Sequence, residues 1–171
     1  METGKILSII SGIITLVATF LFSWYAIDVS GTAYYANGLG VINNLAAVFT
    51  DAESLGTILD IPPFAFYIIG AIFILFLASG VFQILGIKYR VFVIIGTILV
   101  LGVASLIFLG SADLVNVEDW VINVLGTDAP LVEDIIPLKI LDFGTFDIGM
   151  YLLYAGGIIG IVASVYGPGA F

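Results

Sequence analysis

The sequence predicts an all-α membrane protein, a four-helix transmembrane bundle with small extracellular caps of short helices. Three observations predict this fold class. First, 61% of the 171 residues are hydrophobic and only 10% are charged, whereas a typical soluble domain is about 25% charged. Second, four stretches without a charged side chain are each long enough to cross about 30 Å of hydrocarbon. Third, most Lys and Arg residues lie on one side of these stretches.

The four predicted spans are residues 6–27, 64–86, 91–112 and 148–168. Lys5, Lys88 and Arg90 flank the ends of the first three spans that share one side, and only Lys139 lies on the other. Short loops rich in Lys and Arg stay in the cytoplasm. We therefore expect a plasma-membrane protein with both termini cytoplasmic. The outer segments are then 28–63 and 113–147.

Aromatic and basic residues near the span ends are expected to anchor the protein at the membrane interfaces, where such side chains are enriched. These expected anchors are Trp24, Tyr25, Tyr67, Tyr151, Lys88 and Arg90. The outer segments are strongly acidic, since they hold every Asp and Glu of the chain except Glu2. Two interpretations stay open: a well-solvated exposed surface, or attraction of cations or a partner.

The two halves of the chain resemble each other, which predicts an internal duplication of a two-span unit. Three short patterns recur in the same order. They are Gly12 with Gly96, Val41-Ile42-Asn43-x-Leu45 with the run from Val121, and Ile58-Leu59-Asp60-x-x-x-Phe64 with the run from Ile140. The predicted repeat units are residues 1–86 and 87–171. Their symmetry axis should run along the membrane normal, because both units have the same orientation.

The outer segments, at about 35 residues each, are too long to lack secondary structure. An amphipathic helix is predicted for Val41–Leu59. Its inward face carries Val41, Leu45, Val48, Ala52, Leu55 and Leu59, and its outward face carries Asn44, Asp51 and Ser54. In the second segment, Asn116 is placed to cap a helix that turns Trp120 inward. A short strand pair around residues 31–35 is left open.

Trp120 is the strongest single candidate for contact with a partner, because aromatic anchors dominate protein interfaces. It suits an interfacial belt equally well. Inside the spans, Gln83 is expected to hydrogen-bond a neighbouring helix or the headgroup region. Ridges of small residues are formed by Gly156, Gly160 and Ser164 on the fourth span and by Ser8 and Gly12 on the first. Such ridges allow close helix approach, either within the bundle or between protomers.

The composition excludes several kinds of chemistry. Without cysteine or histidine, the chain has no disulfide and no thiolate or imidazole catalysis, and any metal site must use oxygen ligands. The candidates for such a site are Glu118 with Asp119, and Glu133 with Asp134. A net charge of −9 does not suit nucleic acid, which requires basic surfaces. We expect no enzymatic activity, no cofactor and no nucleic-acid partner.

With four spans, both termini inside and two outer segments, the chain resembles the tetraspan class that includes claudins and tetraspanins. Trp24 at the outer end of the first span is similar to the tryptophan that closes the first span of claudin-like proteins. Those families carry disulfide-forming cysteines in their outer loops and this chain has none, so the resemblance implies topology alone. The Ile-, Gly- and Val-rich helices also resemble those of multi-span archaeal membrane proteins.

The spans contain no charged side chain, which is typical of helices that pack rather than transport. We therefore expect a non-catalytic membrane protein that acts as a scaffold, an accessory subunit or a self-assembling envelope component. It would act through its outer segments and helix faces, with membrane lipids and either further copies of itself or another protein as partners. The alternative is an oligomeric channel or transport subunit with an acidic outer vestibule.

Overall fold

The computed structural model describes residues 2–109, 120–127 and 146–167, which are mostly helical. In chain order the elements are α1 (Glu2–Phe20), β1 (Tyr25–Val29), β2 (Thr32–Ala36), α2 (Gly38–Thr50), α3 (Ala52–Leu59), α4 (Pro63–Leu77), α5 (Ser79–Leu85), α6 (Arg90–Leu109), a π-helical turn (Val121–Leu125), β3 (Gly126–Thr127) and α7 (Ile148–Tyr166). The helical architecture expected of a membrane protein is present. It is joined by a small sheet that the predicted all-α class does not include.

Three helices of the described chain, α1, α6 and α7, are long and apolar enough to cross a membrane, and the number rises to four if a bent pair counts as one span. The bent pair is α3 and α4, which meet at 100°. Helix α4 also continues into α5 after one residue, Ala78, whose backbone stays in the right-handed helical region. The Ala78 amide donates to the Ile74 carbonyl, and the Phe82 amide donates to the Ala78 carbonyl. Residues 63–85 are therefore helical apart from this interruption.

The long helices pack as an antiparallel bundle in which α1 lies between α5 and α7, and α6 completes the ring between the same two helices. Glycines make the closest approaches. Gly12 of α1 lies against Gly80 of α5, and Gly157 of α7 lies against Leu101 of α6. Such small residues let helix backbones come close, as is common for helices that pack in a membrane.

An antiparallel three-stranded sheet in the order β1-β2-β3 lies at one end of the bundle. Strands β1 and β2 form a hairpin whose turn residues, Ser30 and Gly31, have φ values of 55° and 85°. Positive φ at both positions matches the twist of the flanking strands. Strand β3 pairs with β2, and an isolated bridge joins Tyr25 to Phe146 beside β1. The sheet therefore takes residues from both outer segments.

The first predicted span, residues 6–27, extends too far. Helix α1 ends at Phe20, and the apolar residues that follow form a turn and the start of β1. Aromatic and β-branched residues such as Tyr25 and Ile27 are favoured in strands, and Ile27 lies opposite Tyr34 of β2. The boundary was missed because an apolar run does not by itself distinguish a buried strand from a helix.

Two helices, α2 and α3, replace the single amphipathic helix predicted for Val41–Leu59. The boundary between them is Asp51, which ends α2 and precedes α3. The predicted inward face is confirmed, with Val41, Val48, Ala52 and Leu55 buried and Leu45 and Leu59 half-buried. Asn44, predicted to face away, instead donates its side-chain amide to the Val124 and Gly126 carbonyls. A partner in the second outer segment was not visible from the helical pattern.

Main-chain contacts attach the outer layer to the bundle where α1 finishes and α7 starts. The Gly149 amide donates to the Ser23 carbonyl at 3.0 Å, and the Asp147 amide donates to the Trp24 carbonyl at 3.2 Å. The first residue of α2, Gly38, lies directly against the end of α1. We use the name outer layer for this assembly of β1, β2, β3, α2, α3 and the π-helical turn.

Candidate functional site

Helix α1 has an inverted distribution of side chains, with small and polar residues buried and large apolar residues exposed. Its buried residues are Gly4, Ser8, Ser11, Gly12, Thr15, Ala18 and Thr19. Ile6 and Ile13 have 54% and 51% of their surface exposed. In a water-soluble helix such isoleucines would face the core. In a membrane, hydrocarbon solvates them, and the polar groups turn towards the protein interior.

Buried hydroxyl and amide side chains from three helices form a polar seam along the inside of the bundle. The polar seam consists of Ser8, Ser11 and Thr15 of α1, Ser79 and Gln83 of α5, and Thr97 of α6. The spacing of three or four residues along α1 and α5 keeps these side chains on one face of each helix. Because polar groups at membrane depth are retained for specific packing or for function, the polar seam is the candidate site.

Gln83 is the largest side chain of the polar seam, and 0% of its surface is exposed. The Thr15 hydroxyl donates to its Oε1 at 2.8 Å, which joins α1 to α5. The Ser11 hydroxyl donates to the Gly156 carbonyl at 2.7 Å, which joins α1 to α7. The hydrogen bond with a neighbouring helix that the sequence predicted for Gln83 is present.

Gly156 and Gly160, predicted as a contact ridge, face the polar seam from α7. A Cβ atom at Gly156 would lie 2.5 Å from the Thr15 hydroxyl, and one at Gly160 would overlap the Thr97 hydroxyl. Both glycines therefore make contacts inside one chain. Of the two uses that the sequence left open, their surroundings favour packing within the bundle.

Of the other three ridge residues, two lie inside the bundle and one lies at its surface. Gly12 lies against α5, and Ser8 is fully buried. Ser164 is half-buried near the end of α7, and its hydroxyl donates to the Ile161 carbonyl of its own helix at 2.7 Å. Only Ser164 among these residues retains an accessible surface that a second protomer could contact.

Several polar atoms of the seam have no hydrogen-bond partner among the described residues. They are Ser8 Oγ, Ser79 Oγ, Gln83 Nε2 and Thr97 Oγ1. A buried polar group without a partner costs about 1–3 kcal/mol, so the seam has unused hydrogen-bonding capacity. Sequence reasoning identified Gln83 but missed Ser11, Ser79 and Thr97. The spacing of Ser79 four residues before Gln83 was a signal that could have been used.

Trp24, expected as an interfacial anchor, is fully buried in the protein. Its indole Nε1 donates to the Ala18 carbonyl at 2.8 Å, and its ring meets Phe76 edge-on with centroids 5.3 Å apart. Carbonyls in the last turn of a helix lack an intrahelical partner, and the indole supplies one. Tyr25 is also buried, in β1. These two rings contact protein, which corrects the expectation that they face the lipid interface.

The other expected anchors lie at the surface or at helix ends. Tyr67 of α4 and Tyr151 of α7 are exposed near the starts of their helices. Lys88 is exposed, with Nζ 5.4 Å from the centre of the Tyr89 ring, and Arg90 begins α6. Lys88 and Arg90 lie at the bundle end away from the outer layer.

Trp120, the predicted partner contact, is half-buried and packs within the chain. Its ring stacks on Phe66 of α4 with centroids 6.0 Å apart and planes at 21°. Val121, Val124 and Leu125, which follow it, are buried. This segment therefore fixes the second outer segment to α4 and to α2.

The four carboxylates predicted as metal candidates, Glu118, Asp119, Glu133 and Asp134, lie outside the described residues. Within 2–109, 120–127 and 146–167, no group of three or more His, Cys, Asp or Glu side chains is placed to hold a metal ion. Metal binding at the four carboxylates stays a prediction.

Comparison of the chain with known protein families, curated proteins and solved structures finds no match. The resemblance to claudin-like proteins thus rests on expected topology and on the position of Trp24.

Proposed function

We propose that this protein is a non-catalytic integral protein of the plasma membrane that crosses the bilayer four times and presents its outer layer as a scaffold. The spans would be α1, α4 together with α5, α6 and α7, with both termini in the cytoplasm. The inverted side-chain distribution of α1 supports the membrane location, because several exposed isoleucines on one helix are more stable in hydrocarbon than in water.

The observation that carries the scaffold function is the construction of the outer layer. Both outer segments contribute to one sheet, and Asn44 ties α2 to the second segment through two hydrogen bonds. Main-chain hydrogen bonds at Ser23 and Trp24 then hold this layer on the bundle. A preorganised surface binds a partner with less loss of conformational entropy than flexible loops do.

The exposed surface of the two outer helices is both apolar and acidic. Ile42 and Ile58 have 47% and 50% of their surface exposed. Asp51, Glu53 and Asp60, which lie in α3 or at its ends, are also exposed. A second copy docked through the same surface would bring like charges together. A partner with basic and apolar side chains is the better match.

The topology is tested by labelling single introduced cysteines. No native cysteine has to be replaced first, because the chain has none. We expect a membrane-impermeant maleimide to label Ser30→Cys, at the tip of the hairpin, in intact cells. Lys88→Cys, in the turn between α5 and α6, should be labelled only after the membrane is opened. Labelling of Lys88→Cys in intact cells would show that the proposed orientation is wrong.

The scaffold function is tested by photo-crosslinking in native membranes. A photoreactive residue at position 42 or 58 should give discrete protein adducts. The control is position 98 on α6, where Ile98 is 65% exposed and should give lipid adducts. If both outer positions give no protein adduct and the purified particle is a monomer, the scaffold proposal is wrong. Ion flux in liposomes from the protein alone would favour the channel alternative instead.

A further inference from the structure

Polar atoms from three helices converge on the bare backbone of Gly160 in α7. The position of a Cβ atom at Gly160 lies 3.0 Å from Ser11 Oγ and 3.3 Å from Gln83 Nε2, and it overlaps Thr97 Oγ1. These atoms come from α1, α5 and α6 respectively. The glycine is needed here because any side chain would displace at least the Thr97 hydroxyl.

Two of these converging groups have unused hydrogen-bonding capacity. Gln83 Nε2 and Thr97 Oγ1 have no partner among the described residues, although both side chains are at least nine-tenths buried. In a bilayer core no bulk water is at hand to satisfy them. Ordered internal waters satisfy buried polar groups of this kind and make two to four hydrogen bonds each.

The chemistry of the converging atoms selects the ligand. An amide N–H requires an acceptor. The Ser11 hydroxyl already donates its proton to the Gly156 carbonyl and can only accept, whereas the Thr97 hydroxyl can donate or accept. A metal cation does not suit a site towards which an N–H group points and to which no carboxylate of the polar seam contributes. A larger solute does not suit a place where Ser11 Oγ, Gln83 Nε2 and Thr97 Oγ1 all lie within 3.3 Å of the Cβ position of Gly160. The ligand must be small, neutral, and both donor and acceptor.

We propose that the polar seam holds an internal water molecule between Gln83, Thr97 and Ser11 beside Gly160. This water accepts a hydrogen bond from Gln83 Nε2 and bonds the Thr97 hydroxyl. It thereby connects α5 to α6, a pair for which the direct side-chain bonds of the seam provide no link. This inference concerns the inside of the bundle and goes beyond the scaffold function of the outer layer.

A competing arrangement without water has the Gln83 amide reversed. Nε2 would then donate to the Thr15 hydroxyl, and Oε1 would lie nearest to Thr97, where rotation of the Thr97 side chain has to bring the two within hydrogen-bond distance. Amide orientation is assigned from the hydrogen-bond network, so the two arrangements have to be separated by an experiment that detects the water itself.

Gln83 is the only glutamine in the sequence, so glutamine side-chain ¹⁵N labelling reports on this site alone. We propose water-edited solid-state NMR of the full chain in lipid bilayers. A bound water should transfer magnetisation directly to the Gln83 side-chain amide. Thr97→Val should slow the build-up of that signal at least about two-fold, because the water loses one of its partners. Thr97→Ser should keep the wild-type build-up.

The matched control is Ser164→Ala, which removes a hydroxyl that bonds only within α7 and should leave the Gln83 build-up unchanged. A wild-type build-up that is no faster than that of Thr97→Val overturns the proposal in favour of the reversed amide. If Thr97→Val does not fold, the wild-type spectrum decides alone: no water transfer to the Gln83 side chain in bilayers overturns the proposal, and transfer supports it.

Discussion

The indole of Trp24 stabilises the end of α1 in two ways. Its N–H donates to the Ala18 carbonyl, which belongs to the last turn of the helix and has no main-chain partner there. Its ring also fills space against Phe76. A single side chain thus ends the helix and joins it to α4.

Replacement Trp24→Phe should keep most of the ring contact and remove the indole N–H. We expect the free energy of unfolding in detergent to fall by about 1–3 kcal/mol, because the Ala18 carbonyl is left without its donor. The control is Trp120→Phe, which preserves an aromatic ring for stacking on Phe66 and should cost less. An equal decrease in the free energy of unfolding for the two variants would show that the indole hydrogen bond does not stabilise the protein measurably.

Replacement Gly160→Ala should destabilise the bundle by about 1–3 kcal/mol, because the new methyl group would overlap the Thr97 hydroxyl and force the helices apart. Gly102→Ala on α6 is the matched control, since a Cβ there has no neighbour within 4 Å. The measurement is the midpoint of thermal unfolding of the two variants in the same detergent. A midpoint for Gly160→Ala equal to that of Gly102→Ala would contradict the close packing described above.

At the scale of elements, the outer layer depends on contacts between segments far apart in the chain. Helix α2 starts at an Asn37 cap whose side chain accepts from the Leu39 and Gly40 amides, a local signal readable in sequence. The same helix is then held by Asn44, whose partners lie about eighty residues further on. The local cap at Asn37 fixes where α2 begins. The hydrogen bonds of Asn44 to the second outer segment fix the position of α2 in the fold.

Replacement Asn44→Asp should loosen the contact between α2 and the π-helical turn. The carboxylate has nearly the shape of the amide but cannot donate, and it would face the carbonyls of Val124 and Gly126. We expect faster amide hydrogen exchange across residues 120–127. Asn43→Asp, at the exposed neighbouring position, introduces the same charge and should leave exchange unchanged. Equal exchange in the two variants would exclude a role for the Asn44 hydrogen bonds.

At the scale of the whole molecule, the two predicted repeat units are interlocked. Helix α1 of the first unit packs along α7 of the second, and β2 pairs with β3. A duplication of a two-span unit stays a prediction from the recurring sequence patterns. Whatever its origin, a single unit would expose the polar seam and an unpaired strand edge.

Separating the chain in the turn near residue 87 should therefore give two fragments that need each other. We expect residues 1–87 and 88–171 to copurify when they are expressed together in the membrane. Each fragment expressed alone should be degraded or aggregate. The first fragment then lacks α7 to pack against α1, and the second lacks α1 to pack against α7. Stable, monomeric accumulation of one fragment alone would show that the repeat unit folds independently.

Much of the helical architecture could be predicted from sequence. Helices α6 and α7 and the helical stretch 63–85 fall on the predicted spans, and α1 covers residues 6–20 of the first span. Long apolar runs without charged residues are typical of helices that can cross a membrane. The inward face of α2 and α3 was also predictable, since its apolar residues recur with helical spacing. These features depend on local composition and periodicity.

The sequence by itself thus determined that the chain is apolar, helical and free of thiol and imidazole chemistry. The tertiary structure decided where α1 stops, which residues form the sheet, and that Gly156 and Gly160 face helices of their own chain. The spacing of small residues predicts close helix packing, but it does not show whether the facing helix belongs to the same chain or to another. Only the packing of four helices shows that Ser11, Gln83 and Thr97, far apart in sequence, meet beside one glycine.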